Sequence, residues 1–256
     1  GNQNLGGLSA YLPSMGNSVA RTSISQACGQ QGRDEIPGRL VAPSECSVHI
    51  VKVPKAAEPV SMRMPEPGTS DSSTKTIAVA SHCPADMAAH NWSMDDFVLL
   101  QKMYEGSLSV VCQALHKRSG RHVALKIYKR SRLHEMERFQ LAREICLHIR
   151  LSHPHILPLY AAWKDSRYVW LCLEWAPHGN LFEMLVARGG RLPEVEAVRR
   201  VLCPLFSALS YLHTQHFIHR DIKLENVVVD GQGQVKLCDF GLAIDEKFER
   251  ANTRLG

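Results

Sequence analysis

From Phe97 onward the sequence alternates short apolar runs with polar turns, a rhythm missing from the first ninety residues. The run Phe97-Val-Leu-Leu100 opens a strand, and up to Lys126 the pattern reads strand, loop, strand, turn at Ser119-Gly120, strand. From about Leu133 to Leu151, Met136, Phe139, Cys146 and Ile149 recur near helical spacing. His153-Pro154 ends that helix, because proline disfavours helical backbone in the residue before it. Two apolar strands follow, Ile156 to Trp163 and Tyr168 to Leu173. Asn180 is suited to cap a short helix from Leu181 to Arg188, which Gly189-Gly190 would stop. A longer helix is predicted from about Glu194 to His213, with Val195, Val198, Leu202, Leu205, Leu209 and Leu212 as its buried stripe and Pro204 bending it by removing one backbone bond. The last patterned stretch, His219 to Gly241, reads as a hairpin with polar tips, built on Val227, Val228 and Val229 and a turn at Gly231-Gln232-Gly233.

Composition divides the chain at about residue 90. Of seventeen aromatic residues only Tyr11 lies before that point, whereas eight of thirteen prolines do, so residues 1–90 have little to bury and are expected to be a disordered extension. Order should begin near Trp92. Two readings of the extension stay open: a docking or regulatory tail for a partner protein, or a tail with no specific job. One patch within it, Cys46 to Val53, has strand character suited to partner binding.

Charge and cysteine usage narrow the classes further. Seven basic and seven acidic residues cancel in the first ninety, so the net charge of +5 belongs to residues 91–256; that modest excess suits phosphate ligands and gives no nucleic-acid footprint. The eight cysteines are never closer than eighteen residues, so no C-x-x-C zinc or redox pair exists, and they read as reduced thiols. No apolar run approaches the roughly 18 residues of a membrane helix, and there is no secretory leader. The expectation is a soluble intracellular protein, cytoplasmic or nuclear, with no membrane partner. A start at Gly1 rather than Met suggests an upstream portion.

The candidate chemistry is concentrated in His219 to Gly241, HRDIKLENVVVDGQGQVKLCDFG. Asp221 stands five residues before Asn226 and eighteen before Asp239. Asn226 and Asp239 offer the hard oxygen ligands that Mg²⁺ prefers on a nucleotide's phosphates, while Asp221 is free to orient an acceptor hydroxyl. Singly these are turn residues. Together they match H-R-D-x-x-x-x-N and D-F-G at the correct mutual spacing, and the chain here resembles a eukaryotic protein kinase. Lys223, two after Asp221, resembles the serine/threonine-specific branch. The wording LSHPHILPLYAAW, LEWAPHGNLFEML and ALSYLHTQHFIHRDIK is similar to the Aurora group, which brings a cytoskeletal or spindle location within the expectation.

The resemblance covers about residue 97 to 256 and implies an α+β, two-lobed protein-kinase-like fold. Residues 91–256 are then a partial kinase domain: a small lobe at about 97–173, with an antiparallel sheet and one helix; a hinge at 174–179; and an incomplete, mostly helical large lobe at 180–256. Its cofactors would be ATP and Mg²⁺, with Asn226 and Asp239 on the metal. Lys126, ending Val123-Ala124-Leu125-Lys126, would hold the α- and β-phosphates with Glu144 as its partner. Met103, Tyr104, Gly106, Val111, Ala124, Leu173 and Val228 would surround the nucleotide, and backbone groups of Glu174 and Ala176 would bond the adenine edge. One departure from the family stands out: Tyr104 and Ser109 replace the first and third glycines of the phosphate-covering loop, leaving Gly106.

The chain stops seventeen residues past Asp239, before the end of the activation segment, and reads as a truncated kinase whose long helix should expose apolar surface. The expected function is ATP-dependent transfer to Ser or Thr hydroxyls of protein substrates, with Asp221 as base. The alternative is a non-catalytic nucleotide-binding or regulatory module. Thr253 follows Arg250 at the R-x-x-T spacing and resembles an activation-loop phosphorylation site pairing with Arg220. Cys238, next to Asp239, reads either as a small core hydrophobe or as a thiol reachable from the nucleotide site.

Overall fold

The computed structural model of this protein describes residues 74–89 and 91–249. The Cys46 to Val53 patch and Thr253 lie outside them.

Order begins before Trp92, which corrects the reading of residues 74–89 as part of a disordered extension. Strand β1, Lys75–Val79, pairs antiparallel with β5, Leu159–Lys164, and turns Thr76 and Ala78 inward while Lys75, Ile77 and Val79 face outward. The chain then folds back across the sheet. Ala80 N–H donates to the Tyr160 carbonyl (2.8 Å), Trp92 N–H donates to Thr76 Oγ1 (3.2 Å), and Met87 and Trp92 are 0% and 1% exposed. Composition concealed this because one Met and one Trp are enough to anchor a segment that short.

The sheet holds six strands in the order β1-β5-β6-β4-β3-β2, every pair antiparallel, where β2 is Phe97–Glu105, β3 Ser109–His116, β4 His122–Lys129 and β6 Tyr168–Glu174. Alternation of side chains gives it two buried faces. One face packs Phe97, Cys112, Leu125, Trp163 and Trp170 under Met87 and Trp92, with the Phe97 and Trp163 rings stacked at 5.5 Å. The other packs Tyr128, Leu159, Leu171 and Leu173 against Leu141 and Ile145 of helix α1, Glu135–His148. That helix is shorter than predicted: Arg130–Arg132 form a 3₁₀ turn before it, and its last residue is His148 rather than one beside Pro154.

The second lobe follows β6, which ends at Glu174. Asn180 caps α2, Leu181–Ala187, by accepting from Glu183 N–H at 2.8 Å, as its residue type predicts. The long helical run comprises α3, Glu194–Glu196, a π-helical stretch Ala197–Leu202, and α4, Cys203–Thr214. Pro204 has no N–H for the Arg200 carbonyl and its ring crowds that oxygen; the π stretch widens the turn at that place. The predicted stripe is therefore half right. Beyond Pro204, Leu205 and Leu209 are half-buried and Leu212 buried, but before it Val195, Val198 and Leu202 are exposed and Val201 is the buried residue.

Two short pairs complete the description. Strands β7, Phe217–Ile218, and β10, Ile244–Asp245, pair antiparallel, as do β8, Val227–Val229, and β9, Val235–Leu237, the predicted hairpin. Its turn is closed by Gly233 at φ 77°, a conformation glycine adopts without strain. Leu237 joins the lobes, accepting from Leu157 N–H and donating to the His155 carbonyl, both at 2.9 Å.

Candidate active site

Between the sheet and the β8–β9 hairpin lies a cleft of about 400 Å³, lined by Gly106, Val111, Lys126, Tyr128, Glu144, Asp221 and Asp239 among others. A larger cavity of about 460 Å³ in the second lobe is walled by Leu181, Leu185, Leu192, Val201, Leu202 and Leu224 and offers little for chemistry. The charged centre of the cleft is Lys126 on β4. Its Nζ donates to Glu144 Oε1 on α1 and to Asp239 Oδ1, both at 2.9 Å. Burial works to lower the lysine pKa, but Glu144, Tyr128 and Asp239 outweigh it and hold the ammonium well above its ordinary value. Burial likewise pushes the Asp239 carboxyl up, and the Lys126 ammonium overrides it and brings the carboxyl below its ordinary value.

Asp221 sits at the other side of the cleft in a network of its own. Lys223 Nζ and Asn226 Nδ2 each donate to Asp221 Oδ2 at 2.8 Å, and Asn226 Nδ2 also donates to the Asp221 carbonyl at 2.9 Å. With its nitrogen turned to Asp221, Asn226 has only its amide oxygen to offer a cation. The backbone here is strained: Arg220 and Asp239 have φ of 66° and 61°, which non-glycine residues seldom adopt. What holds them is hydrogen bonding. Arg220 Nε donates to the Leu242 carbonyl at 2.7 Å, and His219 accepts from Asp221 N–H at Nδ1 (3.3 Å) while Nε2 donates to the Cys238 carbonyl (3.0 Å). A ring that accepts at one nitrogen and donates from the other is neutral, and burial lowers the His219 pKa in the same sense.

Ala124, Leu173, Ala176, Val228 and Cys238 do not line this cleft; they gather in one apolar cluster that also includes Leu108, a lining residue from the β2–β3 loop. Met103 is not among the cleft's lining residues: it falls at the irregularity between Lys102 and Tyr104 and is 48% exposed. Tyr104 lines the cleft and takes over part of the missing glycines' place, its ring standing only 3.1 Å from where a Cβ on Gly106 would lie. At the hinge, the Glu174 N–H is spent on the Pro158 carbonyl (3.0 Å) and the Ala176 carbonyl accepts from Gly179 N–H (3.3 Å). The expectation for these two backbones is thereby narrowed, since the Glu174 amide cannot also bond a ligand.

Several contributors escaped the sequence reading. Tyr128 donates to Glu144 Oε2 at 3.0 Å, completing the carboxylate's contacts; it lies two residues after Lys126 on one strand, so strand alternation alone would have placed it on the same face. Arg143 beside Glu144 pairs with Glu249 at 2.5 Å. Lys236 reaches the hinge at Glu174 (2.6 Å). Neither pair leaves a local signal in the sequence, because the partners are 106 and 62 residues apart.

The two-lobed arrangement, with lysine, glutamate and aspartate meeting under a strand-loop-strand and a second aspartate beside an asparagine, defines a class. The chain belongs to the protein kinase domain family, whose model matches residues 97–255. It is 37% identical over 178 residues to serine/threonine-protein kinase Aurora-1 of Arabidopsis thaliana, an alignment covering 69% of this chain and 60% of that protein. It is 33% identical over 197 residues to Aurora kinase B-A of Xenopus laevis, covering 74% and 54%. With Aurora kinase of Encephalitozoon cuniculi the figures are 35% over 169 residues, 64% and 61%. The chain thus spans little more than half the length of the curated relatives it matches.

Proposed function

We propose that the protein transfers the terminal phosphate of ATP to Ser or Thr hydroxyls of protein substrates. The observation that supports this reading most is the placement of Lys126 between Glu144 and Asp239, with Asp221 held across the same cleft. A fixed ammonium already tied to two carboxylates is oriented for phosphate oxygens before a ligand arrives, and such preorganisation lowers the barrier. Lys223 and Asn226 fix the Asp221 carboxylate so that it accepts a hydroxyl proton, while Ala124, Leu173, Ala176 and Val228 enclose an adenine ring. For Mg²⁺ the donor set fits: Asp239 and the Asn226 amide oxygen are hard ligands, too few for a closed cage. Among the described residues no cluster of three or more His, Cys, Asp or Glu ligands forms one. Mg²⁺ takes one or two protein oxygens and completes its shell with phosphates and water. Bound there, it would neutralise phosphate charge.

The names of the relatives, Aurora-type serine/threonine kinases, carry the same reading to protein substrates. A second reading, a nucleotide-binding interaction module without turnover, is favoured by the exposed Val195, Val198, Leu202 and Phe206 on the second lobe. Asp221→Asn separates the two. An amide cannot accept the hydroxyl proton, so phosphotransfer should fall ~10³-fold, about 4 kcal/mol of barrier, with MgADP affinity unchanged. Turnover within about a factor of two of the unsubstituted protein, a change of only ~0.4 kcal/mol, would refute the role given to Asp221.

A further inference from the structure

We propose that Lys236 is a positioning residue that latches the roof of the nucleotide cleft to its floor, and so sets how tightly an adenine nucleotide is held. The inference rests on the nucleotide reading above and adds a residue to it. Lys236 lies in the middle of β9, 12% exposed, with Nζ at 2.6 Å from Glu174 Oε2 and 3.4 Å from Asp230 Oδ2. Glu174 is the last residue of β6 and follows Leu173, which shares one apolar cluster with Val228. Asp230 follows β8 and is itself fixed, its Oδ1 accepting from the Gln232 and Gln234 N–H groups at 2.9 Å each. On β8 the residue paired with Lys236 is Val228, the floor of the apolar cluster. Paired residues of an antiparallel ladder point to the same face. The ammonium therefore stands on the face of Val228 and holds the carboxylate of the residue that follows Leu173 in β6.

The chemistry makes this contact hard to replace. A lysine this buried needs anionic partners, and removing one member of such a group leaves the others desolvated and unpaired. Here the loss of the cation also leaves two carboxylates, Glu174 and Asp230, without the charge they share. The backbone ties near this crossing are His178 N–H to the Val229 carbonyl (3.3 Å), Val229 N–H to the Gly179 carbonyl (2.9 Å) and the two bonds of Leu237 to Leu157 and His155 (2.9 Å each), and the side-chain latch adds to them. Without the latch, roof and floor separate more often, and a ligand that needs both finds the competent arrangement less populated. Its apparent dissociation constant rises by the inverse of that population.

The test uses the full chain, for binding and for turnover, carrying Lys236→Met or Lys236→Arg. Lys236→Met should weaken MgADP binding and raise KM for ATP roughly tenfold, with kcat within about twofold because saturating nucleotide repopulates the competent arrangement. Lys236→Arg, which keeps the charge, should recover most of the affinity. A merely structural role would instead lower kcat and leave KM alone. Hydrogen exchange in the absence of nucleotide reads the latch independently: the His178 and Val229 amides should exchange roughly tenfold faster in Lys236→Met. If the unsubstituted protein binds no MgADP, the nucleotide reading fails and exchange still decides the latch. Unchanged exchange, or MgADP affinity in Lys236→Met within about twofold of the unsubstituted protein, a difference under ~0.4 kcal/mol, overturns the proposal.

Discussion

Acidification should destabilise this fold through His148. The residue ends α1, is 1% exposed, and lies with its ring 4.5 Å from that of Phe240; Nε2 is 2.7 Å from the Leu157 carbonyl. A carbonyl only accepts, so Nε2 carries the proton, and Nδ1 is buried with no hydrogen-bonding partner. Adding a proton at Nδ1 would bury a cation with one unpaired donor, near Lys126. Burial first, then the Lys126 charge, push its pKa down to about 4, against the Leu157 bond and the Asp239 carboxylate, which raise it. Unfolded, the ring titrates near 6.5. Between about pH 6.5 and about 4 the unfolded state binds a proton that the folded state refuses, so stability falls as pH falls through that window and levels off below it. The integrated penalty between pH 7 and pH 5 is about 2 kcal/mol and approaches about 3 kcal/mol in full. His219, whose pKa burial also lowers, adds in the same direction.

Urea denaturation of the chain and of His148→Leu at pH 7 and pH 5 checks the magnitude. The substitution removes the titration and costs about 1 kcal/mol at both pH values through the undonated Leu157 carbonyl. The unsubstituted chain should therefore lose about 2 kcal/mol more than His148→Leu on going from pH 7 to pH 5. Equal losses in the two proteins would refute the argument, placing the acid sensitivity elsewhere.

Met87→Ala should cost about 2 to 5 kcal/mol, because the side chain is wholly buried against the sheet's outer face; a change below about 0.5 kcal/mol in urea denaturation would mean that the segment does not pack there. Cys238 packs in the apolar cluster of Ala124, Leu173 and Val228, and burial, then Asp239, push its thiol up to about 12. It should react slowly with iodoacetamide at neutral pH yet be alkylated by an electrophile carried on an ATP-like scaffold, with MgATP suppressing the reaction. Mass spectrometry reads the outcome, and labelling that MgATP leaves unchanged would place the thiol beyond reach of the cleft.

The parts of the fold legible in the sequence are those held by local pattern. Strands β3 and β4 alternate, and Lys126 and Glu144 stand at a family separation that the structure closes to 2.9 Å; α1 forms where its spacing placed a helix, but Met136, Phe139 and Cys146, which carried that spacing, are exposed, and Leu141 and Ile145 pack on the sheet instead. What was not legible depends on distant partners or on a change of period. The five residues of β1 carry no signal apart from β5, which lies some eighty residues on. The stripe of the long helix was projected at one constant period across Pro204, but the π stretch shifts the phase, so the projection holds from Leu205 onward and fails at Val195, Val198 and Leu202. Tyr128 was within reach of strand alternation. Lys236 was not, since nothing near it in sequence marks Glu174 as its partner.

The segment from β1 to Trp92 changes where the small lobe ends as a cooperative unit. The family match begins at Phe97, yet Met87 and Trp92 fill the same apolar layer as Phe97, Trp163 and Trp170, and Arg121 and Arg118 reach across to Asp86 (2.8 Å) and the Ala88 carbonyl (2.6 Å). A boundary drawn at residue 97 therefore cuts through a hydrophobic layer and strips one edge strand from the sheet. What is left would present an indole-rich face and an unpaired β5 edge, the two features that drive chains to associate with one another.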